Sequence, residues 1–228
     1  MSDLPAATMA ARRAAARAAV RFVERDAVMG VGTGTTAAAF IEAMADAGRT
    51  PLAAVASSVA TAHLLRSAGI EVVDLPASGR LPLYVDGADE ADAELRLIKG
   101  GGGAHAREKV LASASDVFVC IAEHAKLVGR LGTHPVPVEV LPMARAFVAR
   151  ELALMGGTVV ERAGFVSDNG NVVLDASGLD LVDPVALEKV IDEIAGVVAC
   201  GVFALRPADL LLLGSPDGTA REIRRPTR

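Results

Sequence analysis

The stretch DAVMGVGTGTTAAAFIEAMADAG, residues 26–48, decides the fold class. Its first third is a short apolar run of strand character that enters a glycine turn. The remainder is rich in Ala, Phe, Ile and Met at helical spacing and stops at Gly48, a residue suited to the left-handed position just past a helix end. Strand, glycine turn and helix in that order form the opening of a unit in which a strand is followed by a crossover helix. Outward from it the rhythm repeats. LAAVASS reads as a strand, VATAHLLRSAG as a helix ending at Gly69, and IEVVDL, LPLYVDGAD and DVFVCIA as further strands. Such alternation predicts a parallel sheet with helices on both faces.

Beyond residue 131 the rhythm changes. PVPVEVLP reads as a strand and MARAFVARELALMGG as a helix. TVVERAGFVS and NVVLDAS read as two strands joined around Asp168-Asn169-Gly170, where Asn-Gly is a hairpin signal. DPVALEKVIDEIAG is a helix with Asp183 as N-cap and Pro184 at its first position, and GVVACGVFA is a closing strand. The order β-α-β-β-α-β is that of ferredoxin-like domains. ADLLLLGS then reads as one more buried strand returning to the first sheet. The expected organisation is a Rossmann-like α/β large domain, residues 1–131 plus 205–228, with a ferredoxin-like (βαββαβ) small domain, residues 132–204, inserted in it.

Composition narrows the function. Of 228 residues, 52% are hydrophobic and 22% charged, which supplies a substantial core and argues against disorder. Aromatics make up 3%, with no Trp and one Tyr, and the net charge is −5, so a base-stacking or basic nucleic-acid surface is not expected. Arg224, Arg225 and Arg228 read as a solvated tail. Cys120 and Cys200 lie in apolar runs and read as buried packing residues. The N-terminal segment is Ala-rich and interrupted by arginines, an amphipathic helix in place of a signal peptide or membrane span. The expectation is a soluble cytoplasmic protein.

Three motifs can carry chemistry. GVGTGTTAAAF places a glycine turn at a helix N-terminus, where backbone N–H groups favour an anion. Thr33, Gly34, Thr35 and Thr36 would then face a phosphate or phosphosugar. The run also fits the G-x-G-x-x-A dinucleotide pattern, but the next strand ends in Ser57-Ser58 where a ribose-binding acid would be needed; a purely structural turn is the third reading. YVDGADEADAE leaves a strand with Asp86 and Asp89 flanking Gly87 and Ala88, a ligand-facing turn or, with hard-cation chemistry, a Mg²⁺ site. Asp92 and Glu94 read as solvated acids.

KGGGGAHAREK, residues 99–109, sets Lys99, Gly100, Gly101 and Gly102 before a helix that carries Glu108 in an early turn. Glycines let backbone amides meet a ligand closely. A carboxylate can remove a proton α to a carbonyl while Lys99 and fixed N–H groups hold the oxyanion. The competing reading makes Glu108 an ordinary surface residue between Arg107 and Lys109. His63, His105, His124 and His134 share no metal spacing, and His105 reads as a neighbour of the glycines.

The runs VGTGTT, Ser57-Ser58, YVDGADE, IKGGGGAHAREK, PVEVLPMAR, SDNGNVVLD, LVDPVALE and GSPDG, in order from about Ala16 to Gly218, resemble those of type A ribose-5-phosphate isomerases. The resemblance implies interconversion of ribose 5-phosphate and ribulose 5-phosphate in the pentose phosphate pathway without cofactor, metal or nucleotide. It also implies a homodimer or tetramer. By it, Glu108 is the base, Asp86 assists ring opening, and Asp89 and Lys99 hold the oxygens at C1 and C2. Thr33–Thr36, Asp86–Asp89, Lys99–Gly102 and Lys126 line the substrate. The chain departs from the family in Thr35 for Ser, Arg12 and Arg13 for a first-helix Lys, Glu123-His124-Ala125-Lys126 for Asp-x-Ser-Lys, and Leu205 for Asn. A sugar-phosphate-sensing module of a transcription regulator is the rival reading. It would need a DNA-binding segment, for which the first 25 residues are too short and too Ala-rich, and it would need no base at Glu108.

Overall fold

The computed structural model describes residues 6–76 and 79–225. In chain order its elements are α1 (Ala6–Ala19), β1 (Val28–Val31), α2 (Thr35–Asp46), β2 (Ala53–Ala56), α3 (Val59–Ser67) and β3 (Leu81–Asp86). There follow β4 (Glu90–Ala91), β5 (Leu97–Ile98), α4 (His105–Ala114), β6 (Ser115–Glu123), β7 (Val136–Val140), α5 (Arg145–Leu154) and β8 (Thr158–Glu161). The chain closes with β9 (Val172–Ser177), α6 (Pro184–Asp192), β10 (Val197–Cys200), β11 (Val202–Phe203), β12 (Leu210–Gly214) and β13 (Ala220–Arg224). Among the described residues no helix is long and apolar enough to cross a membrane.

Compactness divides the chain into two units. The first holds the described residues up to Ala88, Val110–Leu127 and Ala208 onward; the second holds Asp89–Lys109 and Val128–Pro207. The first is a Rossmann-like sheet in the order β13-β12-β6-β3-β1-β2, parallel from β12 to β2, with β13 antiparallel at one edge. Its core joins Met29, Val31, Phe40, Met44, Leu65, Val85, Val119, Ile121 and Leu212, each at most 2% exposed. Burying side chains of this size contributes about 1.5–3 kcal/mol apiece. Helix α1 presents Ala11, Ala14, Ala15, Ala16 and Ala19 as a flat buried face. It reaches β12 because Gly214 has no Cβ: one there would stand 1.8 Å from the carbonyl oxygen of Ala11. Helices α2 and α3 end as their glycines predict, with Gly48 at φ 56° and Gly69 at φ 75°.

The second unit contains an antiparallel sheet in the order β10-β7-β9-β8, with α5 and α6 supplying the two helices of the ferredoxin-like pattern. Val138, Val140, Val148, Leu152 and Ile191 form its fully buried centre. Asp183 caps α6 through the Ala186 amide at 3.0 Å, as its sequence predicts. A small sheet, β11-β5-β4, belongs to the same unit.

Four sequence expectations are corrected. IEVVDL forms only a single parallel bridge, Val72 to Ala54, and not a strand. The TVVERAGFVS strand stops at Glu161. GVVACGVFA is two strands in two sheets, because Gly201 donates to Pro137 O (2.7 Å) and accepts from the Lys99 amide (2.9 Å), which turns the chain. Arg224 is exposed as expected but is not part of a tail, since it ends β13 and pairs with Glu222; Arg228 lies outside the described residues.

Candidate active site

In the first unit the turn after β1 is built around Asp86, at the C-terminal end of β3. The Asp86 side chain is wholly buried, and its Oδ1 accepts the amides of Thr33 (3.0 Å) and Gly87 (2.7 Å). Its Oδ2 accepts the hydroxyl of Tyr84, two residues back on the same strand face. Gly32 is required here, since a Cβ would lie 1.8 Å from the Asp86 carboxyl. The Thr33 hydroxyl meets Ser57 Oγ (2.7 Å) and Thr61 Oγ1 (3.2 Å), and Thr61 donates to Gly32 O (2.8 Å). Ser58 caps α3 by accepting the Thr61 amide at 3.0 Å. Gly34, at φ 106°, leads into the N-terminus of α2, where Gly34 and Thr35 are exposed and Thr36 is half-buried against Gly87. This leaves an open helix N-terminus rimmed by hydroxyls, a setting that favours an anion.

Of the two first-helix arginines, Arg12 turns to this loop and Arg13 is exposed elsewhere. Arg12 donates to Thr35 Oγ1 (2.5 Å) and forks onto Glu123 through Nε (2.5 Å) and Nη2 (3.1 Å). The departures at Thr35 and Glu123 thus both bond to the departure at Arg12. Lys126 is half-buried on the turn His124–Lys126 that follows β6.

In the second unit Lys99 and Glu108 form an ion pair at 3.0 Å, with side chains 3% and 5% exposed. Glu108 lies in the first turn of α4 and Lys99 just past β5, over the ring of Phe203 at 5.5 Å. This removes the surface reading of Glu108. Its neighbours serve other partners: Lys109 donates to Glu188 (2.7 Å) and Val202 O (2.9 Å), and Arg107 to Asn169 (2.7 Å). Asp89 Oδ2 accepts the Gly101 amide at 2.7 Å, and a side chain at Gly101 would strike that carboxylate. Gly100 lies at φ 108°, Gly103 at φ 75°, and the two close a turn through Gly103 N–H to Gly100 O (2.9 Å). Gly101 and Gly102 are exposed.

His105 is fully buried against Gly100 and places Nε2 3.2 Å from Ala199 O, so Nε2 carries the hydrogen. Burial first of all pushes its pKa down to about 4, against the pull of Glu139; Lys109 and Arg162 also lower it. It is a neutral packing group. A folded-state pKa below the ordinary value of about 6.5 means that stability is full above that value and is lost as pH falls from there towards 4. Two to three pH units correspond to about 3 kcal/mol. Denaturant unfolding at pH 7.5 and at pH 4 should therefore show a smaller acid loss in His105→Gln than in the parent, by about that amount. Equal losses in both would contradict it.

One acid departs from its sequence reading. Asp92 is buried, not solvated: it accepts the amides of Glu94 (3.0 Å) and Arg96 (2.9 Å) and pins a turn. Glu90 accepts the amides of Gly132 (2.7 Å) and His134 (2.5 Å) and is a structural tether. Sequence reasoning missed Tyr84, Thr61 and Arg162. Only Tyr84 carried a signal, the strand alternation that puts it beside Asp86. Leu205, 51% exposed, gives its amide to Glu188 (2.7 Å). Cys120 and Cys200 are buried and form no disulfide, and burial pushes the Cys200 thiol up to about 12.

A buried carboxylate paired with a lysine, next to amides free of side chains, is equipped to move a proton beside a developing oxyanion; with an anion-favouring turn on the same chain, this is the equipment of an aldose–ketose isomerase acting on a sugar phosphate. Comparison with known proteins makes that class specific. Residues 53–218 match the family model described as Ribose 5-phosphate isomerase A (phosphoriboisomerase A). The chain is 51% identical over 211 residues to ribose-5-phosphate isomerase A of Acidithiobacillus ferrooxidans, covering 92% of this chain and 96% of the relative. The crystal structure of ribose 5 phosphate isomerase A from Neisseria gonorrhoeae superposes with a TM-score of 0.92 at 43% identity, covering 95% and 96% of the two chains. A D-ribose-5-phosphate isomerase solved in complex with phospho-erythronic acid superposes at 0.89 with 32% identity, covering 94% and 97%. The chain belongs to the ribose 5-phosphate isomerase A family. Its reaction is the interconversion of ribose 5-phosphate and ribulose 5-phosphate, a step of the pentose phosphate pathway.

Proposed function

We propose that this reaction runs through an enediolate with Glu108 as the base that carries the proton between C2 and C1. The observation that carries the reading is the buried Lys99–Glu108 pair beside the glycine loop. As Glu108 accepts the proton it becomes neutral, while negative charge grows on the substrate oxygen. Lys99, already positioned, then faces that oxygen, so little uncompensated charge forms in a poorly hydrated place. Asp89, held by the Gly101 amide, and the amides of Gly100 and Gly102 orient the oxygens at C1 and C2. Asp86, fixed by three donors, relays the proton of ring opening: the O1 proton leaves, the C1–O4 bond breaks, and O4 is protonated. Thr33, Gly34, Thr35, Thr36, Gly87, Ala88 and Lys126 complete the substrate contacts, with the α2 N-terminus taking the phosphate.

The relative's ligand supports the enediolate. The carboxylate of phospho-erythronic acid carries two oxygens with shared negative charge at one end of a sugar phosphate, as an enediolate does across C1 and C2. We further propose a homodimer, or a tetramer, working in the cytoplasm, no metal or cofactor, and a domain division of 1–131 plus 205–228 around 132–204. The metal-free reading predicts that ribose 5-phosphate is converted at an undiminished rate in excess EDTA. Loss of activity on chelation, restored by one divalent ion, would replace it with a metal-assisted mechanism.

A further inference from the structure

The glycine loop is held from behind. Arg162, just past the end of β8, donates from Nη2 to Gly100 O (3.0 Å) and from Nη1 to Gly101 O (3.2 Å). Its other edge donates from Nε and Nη2 to the two carboxylate oxygens of Asp175 on β9, at 2.6 and 2.7 Å. The guanidinium lies 5.7 Å from the ring centroid of Phe165, and that ring occupies the space a Cβ on Gly103 would need, with 2.2 Å between them. One side chain of the hairpin loop therefore grips two consecutive carbonyls of a loop that has no side chains of its own.

The peptide plane turns this grip into aim. In a trans peptide the C=O and the following N–H point in opposite directions. Anchoring Gly100 O sets the Gly101 N–H, which meets Asp89 Oδ2 at 2.7 Å. Anchoring Gly101 O sets the Gly102 N–H on the side away from Arg162. A cation on a carbonyl also polarises the amide, so that its N–H becomes a stronger donor. Without such an anchor, glycines, which have the most backbone freedom to lose, would have to become ordered around each incoming ligand. A lysine could not substitute, because holding two carbonyls and a carboxylate at once needs the planar fork of arginine.

We infer that Arg162, braced by Asp175, is a positioning residue for the isomerisation: it orients and polarises the Gly100–Gly101 and Gly101–Gly102 peptides, so that the Gly101 N–H holds Asp89 and the Gly102 N–H meets the oxyanion. This rests on the reading that the glycine loop contacts substrate. Arg162→Met and Asp175→Asn should each lower kcat at least about tenfold, the scale seen for outer-shell support of a reactive group, with KM changed less. Arg162→Lys should not restore the rate. In Arg162→Ala, guanidinium ions at concentrations far below denaturing should restore part of kcat, which a purely structural role would not allow. Values of kcat within twofold of the parent in Arg162→Met and Asp175→Asn, or full activity in Arg162→Lys, would overturn the inference. Amide resonances of Gly101 and Gly102 in ¹⁵N-labelled parent enzyme, followed during addition of phospho-erythronic acid, separate the two levels. No shift there overturns the glycine-loop reading and this inference with it. A shift there, with unchanged kcat in Arg162→Met, overturns the role of Arg162 alone.

Discussion

Replacing Lys99 by Met should cost the protein both stability and nearly all of its turnover. The Nζ group is 3.0 Å from Glu108 and both side chains are almost wholly buried. Removing the cation leaves a buried carboxylate without its counter-charge, a change that typically costs about 3–5 kcal/mol. The methionine itself is tolerable, since the Phe203 ring already faces this side chain. Turnover should fall by about 10²–10³, the scale for losing one fixed stabiliser of a developing oxyanion. The double variant Lys99→Met/Glu108→Gln separates the two effects. It should regain much of the stability, because no charge is then stranded, and none of the activity. Additive stability losses in calorimetry would mean that the pair does not act as a unit.

The second large effect is at Glu108 alone. Glu108→Gln keeps the size of the side chain and its capacity to accept from Lys99, but an amide cannot take up the substrate proton. Positioned general bases contribute roughly 10²–10⁴-fold, and kcat should fall by that factor. KM should change little, because the interactions that hold the ground state survive. A change in KM with kcat intact would make Glu108 a binding residue and not the base.

The parts of this fold that were legible are those with a strong local code. Gly48 and Gly69 mark helix ends because few other residues accept positive φ, and Asp183-Pro184 marks a helix start because cap and ring geometry are both local. The long apolar run LLLLG reads as a buried strand wherever it lies. β13 was not legible: AREIR has no apolar face to reveal it, and it exists because an edge of the sheet offers β12 as a partner. The split at Gly201 depends on hydrogen bonds to Pro137 and Lys99, far away in sequence.

The same division runs through the candidate site. Lys99, the glycines and Glu108 stand out as charge flanking a costly loop. That Glu108 is buried against Lys99, and not a solvated helix residue, is a tertiary fact that spacing left open. Arg162 could not be picked out, since it is one polar residue of a hairpin loop 62 positions from Gly100. Asp92 misled for a related reason: its side chain bonds to backbone amides two and four residues on, and an acid in a turn looks the same whether it caps or is solvated.

Hydrogen exchange at the substrate carbon tests the proposed role of Glu108 as proton carrier without relying on turnover. Parent enzyme in D₂O should exchange the C2 hydrogen of ribose 5-phosphate and place deuterium at C1 of ribulose 5-phosphate, followed by ¹H NMR. Glu108→Gln, at saturating substrate, should lose that exchange by the same roughly 10²–10⁴-fold as kcat. Exchange at the parent rate in Glu108→Gln would contradict the account and move the base to another carboxylate, Asp86 or Asp89.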